Sequence, residues 1–260
     1  MSDIITVMGA PGSGQTTVAL KLAVETYNVL KNVSVLLVSM DYIAPSIACL
    51  FPNKRTEQIV SAASLLDKPE MSADNVLRNI VTVPNMKNFG VLGLKAGENK
   101  NSYPIPDRHK VETLFNVLQR EFDFIFVDYI MNEELSRYAL GESDRVIRVL
   151  SPDVKSIAWL MSSRSIINDS DNRLLNVINI IEKDSCTPTE EVATNLKNVT
   201  TIIPYSKLIR QQSHDGELWL TSKEKAYGKR LQVLVEKMLD PAGKGRDSRA
   251  EEIESSGFGA

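Results

Sequence analysis

Ile4, Ile5, Thr6, Val7 and Met8 form a short, uninterrupted apolar and β-branched run, the pattern of a strand buried on both faces. From Thr16 to Leu30 the pattern changes, and Val18, Ala19, Leu22, Ala23, Tyr27 and Leu30 recur at helical spacing. Further apolar runs predict strands at 34–38, 80–83, 124–127, 145–150, 174–180 and 200–203. Helical periodicity falls between most of them, as in 111–122 (Leu114, Val117, Leu118) and 155–167. This alternation predicts an α/β fold in three layers, a mostly parallel sheet with helices on both faces. In such sheets ligands sit outside the carboxyl ends of the strands, so the residues just after each strand are where chemistry is sought.

The first strand and first helix are joined by Gly9, Ala10, Pro11, Gly12, Ser13, Gly14, Gln15, Thr16 and Thr17. A glycine, four residues, a second glycine and then a hydroxyl residue is the spacing of a phosphate-binding loop, in which backbone N–H groups surround a β-phosphate. The order of strand, glycine-rich turn and helix N-terminus aims the helix dipole at an anion. One position departs from the pattern. Where a lysine normally bridges the β- and γ-phosphates, the chain has Gln15.

Two acids follow predicted strands. Ser39-Met40-Asp41 comes after the second strand, and Asp128 ends the run Phe122-Asp123-Phe124-Ile125-Phe126-Val127-Asp128. An apolar strand ending in an acid is the Walker B pattern, whose carboxylate orders a magnesium shell, with Thr16 as the direct hydroxyl ligand. The alternative for either acid is an N-cap on the segment that follows.

Bulk properties narrow the picture. A chain of 260 residues suffices for a large α/β core, and a net charge of −3 gives no global pull toward nucleic acid or anionic lipid. Cys49 and Cys186 lie far apart with no metal-ligand spacing, which fits a reduced, cytoplasmic chain. No apolar run is long enough to cross a bilayer, and the sequence opens on a strand rather than a secretion signal. His109 and His214 read as surface loop residues. The nucleotide-binding domain is placed at 1–240, and the polar stretch 241–260 reads as a mobile tail. A permissive stretch at 96–107 reads as an excursion over the nucleotide side of the fold.

Taken over residues 1–239, the sequence resembles the ParA/MinD group of deviant-Walker ATPases. The loop alone is similar to that of adenylate kinases, but no arginine-rich lid segment accompanies it, so a P-loop kinase fits poorly. For ParA/MinD several stretches match in order: Thr16-Thr17, the strand leading to Asp41, Asn79 to Pro84, Phe122 to Asp128, Ser143 to Asp153, Val177-Ile178-Asn179 and Ile202-Ile203-Pro204-Tyr205. The resemblance implies that Asp41 positions the attacking water if the protein is active, that Asn179 reads the adenine edge, and that Pro204 and Tyr205 cover the base. It also implies ATP or ADP with Mg2+ as cofactors, a homodimer, and a protein partner in an assembly or positioning system.

The departures matter equally. The signature lysine of the group would stand at Ala10, the ordinary Walker lysine is Gln15, and the first acid of its Asp-x-Asp is Ser39. Removing two cations from the γ-phosphate site weakens a term typically worth several kcal/mol in the transition state. The resulting expectation is a protein that binds nucleotide weakly and hydrolyses it slowly or not at all, with an inactive scaffold of the same fold as the alternative. Substituted loops of this type also resemble the TadZ/CpaE branch, which serves pilus assembly and polar localisation.

Two effector surfaces remain open at the level of sequence. The last predicted helix, 223–239, pairs Tyr227, Leu231, Leu234, Val235, Met238 and Leu239 with Lys223, Lys225, Lys229, Arg230 and Lys237. A peripheral membrane helix is one reading, and a core-closing helix with a solvated basic face is the favoured one. DNA binding through these cations with Lys207 and Arg210 is the less favoured alternative. The stretch from Phe51 to Arg55 stands where the group has partner-binding helices.

Overall fold

The computed structural model describes residues 2–43, 45, 50, 61–68, 71–102, 106–131, 133–183, 188–196 and 198–240. Cys49, Cys186, the 51–55 stretch and the 241–260 tail lie outside the described residues.

The predicted apolar runs become strands β1 (Asp3–Gly9), β2 (Val35–Ser39), β5 (Phe124–Asp128), β6 (Arg145–Leu150), β7 (Leu174–Asn179) and β8 (Val199–Ile203). With β3 (Val81–Thr82) and β4 (Phe89–Gly93) they form one sheet in the order β3-β4-β2-β5-β1-β6-β7-β8. Every pairing is parallel except β3 with β4. The helices among the described residues are α1 (Gln15–Val29), α2 (Ala62–Leu66), α3 (Ala73–Arg78), α4 (Arg108–Glu121), α5 (Glu134–Glu142), α6 (Val154–Ser163), α7 (Thr189–Thr194), α8 (Lys207–Asp215) and α9 (Lys225–Leu239).

The sheet buries both faces, which is why its strands are continuously apolar rather than alternating. On one face Ile5, Val7 and Leu37 pack with Val18 and Leu22 of α1 and Leu231 and Leu234 of α9. On the other, Ile4, Leu36 and Val127 pack with Leu114 and Leu118 of α4 and Leu135 of α5. The apolar residues of α9 are therefore part of the core, and they do not form a free membrane-facing stripe. Among the described residues no helix is long and apolar enough to cross a membrane.

Two local expectations are corrected. The run 80–83 forms only a two-residue antiparallel edge strand, because Pro84 and Asn85 (φ 63°) reverse the chain onto β4. Phe89–Gly93 is fully buried between β3 and β2, yet its two glycines hide the strand pattern. Gly90 is required there, since a Cβ would lie 2.4 Å from Ile80 Cγ2. The two histidines are exposed but stand on α4 and α8 rather than in loops.

The parallel register aligns the strand ends that matter. Asp128 pairs with Val7 on one side and with Ser39 on the other, and Gly9 pairs with Val149. The glycine-rich loop, Ser39 and Asp128 thus share one carboxyl edge.

Candidate nucleotide site

The loop between β1 and α1 is shaped by its glycines. Gly12 (φ 86°) and Gly14 (φ 79°) hold left-handed backbone that side-chain-bearing residues rarely adopt. A Cβ on Gly9 would lie 2.6 Å from the Val149 carbonyl, and one on Gly14 would lie 2.6 Å from Asn179 Nδ2. The loop is tied down by hydrogen bonds from Ala10 N–H to the Val149 carbonyl (3.3 Å) and from Ser13 N–H to the Ala10 carbonyl (2.9 Å). Asn179, at the end of β7, donates from Nδ2 to the Ser13 carbonyl at 2.8 Å. In the first turn of α1, Val18 N–H donates to the Gly14 carbonyl (2.9 Å), and the N–H groups of Gln15, Thr16 and Thr17 before it have no carbonyl upstream in their own helix and face the loop. Ser13 Oγ is buried and has no hydrogen-bond partner, a polar atom left over in a cradle otherwise built of backbone. These features fit a bound phosphate.

Asp128 lies behind the loop and is 1% exposed. Its Oδ1 accepts from Gln15 Nε2 at 2.6 Å, and its Oδ2 accepts from Thr16 Oγ1 at 2.8 Å and Ser39 Oγ at 3.2 Å. All three donors are neutral. Burial pushes the carboxyl up to about 6, against the pull of these three hydrogen bonds and with a further push from the Asp41 charge. A lysine at position 15 would have supplied the missing counter-charge. Thr16 Oγ1 donates its proton to Asp128 and keeps lone pairs for a cation. Among the described residues no cluster of three His, Cys, Asp or Glu side chains exists, so a cation here would rest on Thr16, Asp128, water and phosphate oxygens. Magnesium suits that donor set, since it retains waters and takes few protein ligands.

In front of the loop opens a cleft of about 640 Å³. The loop residues Gly9, Ala10, Pro11, Gly12, Gly14, Gln15, Thr16 and Thr17 form one wall. Asp41, Tyr42, Ile43, Tyr129, Ile130, Met131 and Trp159 form the other, and no lysine or arginine is among the described lining residues. Asp41 therefore does face the cleft, as the strand-end reading requires, and its Oδ1 also accepts from Ile43 N–H at 2.8 Å. Lys100 sits 5.9 Å above the Tyr42 ring, which brings the 96–102 stretch to the edge of this cleft. Ala10 is 2% exposed and belongs to a core cluster with Leu150, Leu160 and Ile178.

A second recess of about 180 Å³ adjoins the first through Gly14 and Thr17, which line both. Asn179, Pro204 and Tyr205 meet there, with Ile181, Arg210 and Tyr227. The Asn179 amide, with its Nδ2 engaged by the Ser13 carbonyl, has Oδ1 as an acceptor at this recess. Arg210, Tyr227 and Trp159 line the two cavities, and Ser39 bonds Asp128 behind the loop, without having been singled out as site residues. Ser39 carries a readable signal, since it ends a strand in the place of an acid. The other three stand on helices α6, α8 and α9, which only the fold brings near.

No family model matches the sequence, and no curated protein matches it. Solved structures do. A ParA family ATPase from Chlorobium tepidum is 14% identical, with 92% of this chain and 98% of that one covered at a TM-score of 0.70. The septum site-determining protein MinD from Pyrococcus horikoshii, complexed with Mg-ADP, is 18% identical over 94% and 98% of the two chains, also at 0.70. A putative plasmid partition protein from Borrelia burgdorferi, bound to AMPPNP, is 20% identical over 92% and 99% at 0.67. The chain therefore has the fold of ParA/MinD-type ATPases over nearly its whole described length.

Proposed function

We propose that the chain binds ATP or ADP with Mg2+ in the loop 9–17 and acts as a nucleotide-linked positioning or assembly factor that hydrolyses nucleotide slowly or not at all. The observation that carries this reading is a complete backbone cradle facing a cleft in which the described lining residues include no cation. Backbone N–H groups and the α1 dipole suffice to hold a β-phosphate. The charge that develops during γ-phosphoryl transfer needs cations, and Ala10 and Gln15 occupy the two places where this fold otherwise carries them. The Asn179 acceptor suits the 6-amino donor of adenine, where guanine carries a carbonyl oxygen that would be set against it, and so favours adenine over guanine. Support for Mg2+ comes from Thr16 and Asp128 standing 2.8 Å apart, and from the nucleotide complexes of the MinD and partition proteins above. A homodimer, a cytoplasmic setting and a protein partner belong to the same proposal, with a pilus or secretion scaffold as its assembly form.

Calorimetric titration with ATP and ADP, with and without magnesium, tests the reading. Micromolar to millimolar binding that improves with magnesium is expected, together with turnover far below the usual range for the fold. Gln15→Lys is expected to tighten binding roughly tenfold or more, since a charged donor contributes about twice what a neutral one does. No heat at millimolar nucleotide for either protein would defeat the nucleotide role and leave the scaffold. Robust turnover lost in Asp41→Ala would defeat the non-hydrolysing part.

A further inference from the structure

The side-chain amide of Gln15 has two N–H groups, and both are engaged. One donates to Asp128 Oδ1 at 2.6 Å and the other to the Tyr129 carbonyl at 2.8 Å. Reversing the amide would set its oxygen against a carboxylate and a carbonyl, so the two partners dictate its orientation. The backbone leaving β5 is held from other directions too. Tyr129 N–H donates to the Val7 carbonyl at 2.9 Å, and Ile130 N–H donates to Ser136 Oγ at 2.9 Å. Ser136 N–H in turn donates to Glu133 Oε2 at 2.7 Å. The Tyr129 ring is 5% exposed and packs in a cluster with Met8 and Val146.

A lysine in this place would be drawn to phosphate charge across several ångströms, and it could leave these partners when nucleotide arrives. A glutamine amide is neutral. To reach a phosphate it must give up a charge-assisted bond to a buried carboxylate and a second bond to a carbonyl, in return for one new acceptor. It would also strip a donor from Asp128 in a site where burial already opposes the charge. The exchange is unfavourable, so the amide stays where it is.

We propose that Gln15 is a positioning residue, a fixed strut between the phosphate loop and the turn after β5, so that this turn keeps one conformation whether or not nucleotide occupies the loop. The independence from nucleotide rests on the reading given under Proposed function, and the strut itself does not. In this chain position 15 thus separates holding a nucleotide from signalling its phosphate state to α5. A partner reading the Met131 and α5 side of the cleft would meet the same surface in both states.

Hydrogen exchange of the wild-type chain, Gln15→Met and Gln15→Lys tests this, following peptides that cover 9–17 and 124–131 with and without Mg-ATP. In the wild type, nucleotide is expected to slow exchange in 9–17 and to leave 124–131 unchanged within about twofold. Gln15→Met keeps the length of the side chain and loses both donors, and without nucleotide it is expected to speed exchange in 124–131 roughly tenfold. Gln15→Lys retains donors for both partners in the empty protein, and its 124–131 peptide is expected to become nucleotide-dependent by about fivefold or more. A side chain that merely packs would not change that dependence. Wild-type 124–131 responding to Mg-ATP as strongly as the lysine variant would overturn the proposal, and so would Gln15→Met exchanging like wild type. If Mg-ATP leaves 9–17 unchanged in the wild type, the nucleotide reading fails by itself, and the strut stands or falls on the Gln15→Met comparison. If Gln15→Met does not fold by circular dichroism, the lysine variant decides.

Discussion

Asp128 has three hydrogen-bond donors and, among the described residues, no counter-charge, and that combination has a measurable signature. Its carboxyl is held up at about 6 chiefly by burial, above the ordinary value near 3.9 for an unfolded chain. The folded state therefore binds the proton more tightly than the unfolded state. Stability from this group is present below pH 4 and is lost as the pH rises through about 6, a term of about 3 kcal/mol at full extent. Asp128→Asn keeps the shape and removes the charge, and the Thr16 and Ser39 hydroxyls can turn to accept from its amide. We expect urea unfolding to find the variant more stable than wild type by about 1–3 kcal/mol at pH 8, with the gap closing toward pH 4. A gap independent of pH would show that the carboxylate is not strained by burial. The loss of lysine at position 15 is legible in sequence. What replaces it is not, because the partners of Gln15 lie more than a hundred residues further along the chain.

At the scale of elements, α1 is the least amphipathic of the long helices, and the reason lies in its surroundings. Every residue from Val18 to Thr26 is buried, since the sheet covers one side and α9 with the 216–222 loop covers the other. Lys21 is caught in that layer at 1% exposure, donating to Gln212 Oε1 of α8 and to the Leu220 carbonyl at 2.7 Å. Burial lowers its amine to about 7. The sign is opposite to that of Asp128. Between pH 7 and about 10.4 the unfolded chain binds the extra proton, so stability rises with pH through that window. Relative to Lys21→Met, wild type is expected to gain about 2–3 kcal/mol between pH 7 and 9, read from denaturant midpoints at constant ionic strength. A flat difference would mean that the amine keeps its charge through bound water. A lysine three residues after Val18 reads in sequence as a solvated helix position, and nothing local reveals that a second layer closes over it.

For the whole molecule, the order of the strands decides where chemistry can occur. β1 lies between β5 and β6, so the chain changes direction across the sheet beside the glycine-rich loop, and the crevice opens there. Because both cavities share Gly14 and Thr17, a ligand spanning them meets the ends of β1 and β7 and the segments just after β5 and β8 at once. Such a ligand stabilises the fold as a unit. At a hundred times its Kd it adds about 2.7 kcal/mol, which for a chain of this size raises Tm by roughly 5–10 °C. Thermal unfolding with Mg-ATP should show that rise. Gly14→Ala, whose Cβ would strike Asn179 at 2.6 Å from left-handed backbone, should abolish it. A rise that survives in Gly14→Ala would place the nucleotide elsewhere.

The apolar runs, the glycine spacing at 9–14 and the acids after two strands belong to the chain read by itself, because backbone hydrogen bonding and burial on both faces of a parallel sheet impose short-range patterns that any window of residues displays. The fold class and the phosphate loop followed from those patterns. The antiparallel edge at β3, the glycine-interrupted β4, the burial of Lys21 and the closing of Gln15 onto Asp128 and Tyr129 did not. Each depends on which distant segment packs alongside, and a side chain's charge, its exposure and its free hydrogen bonds are set by those neighbours. Gln15 shows the division most plainly. Its identity signalled a missing cation, and only its two acceptors turned that absence into a strut.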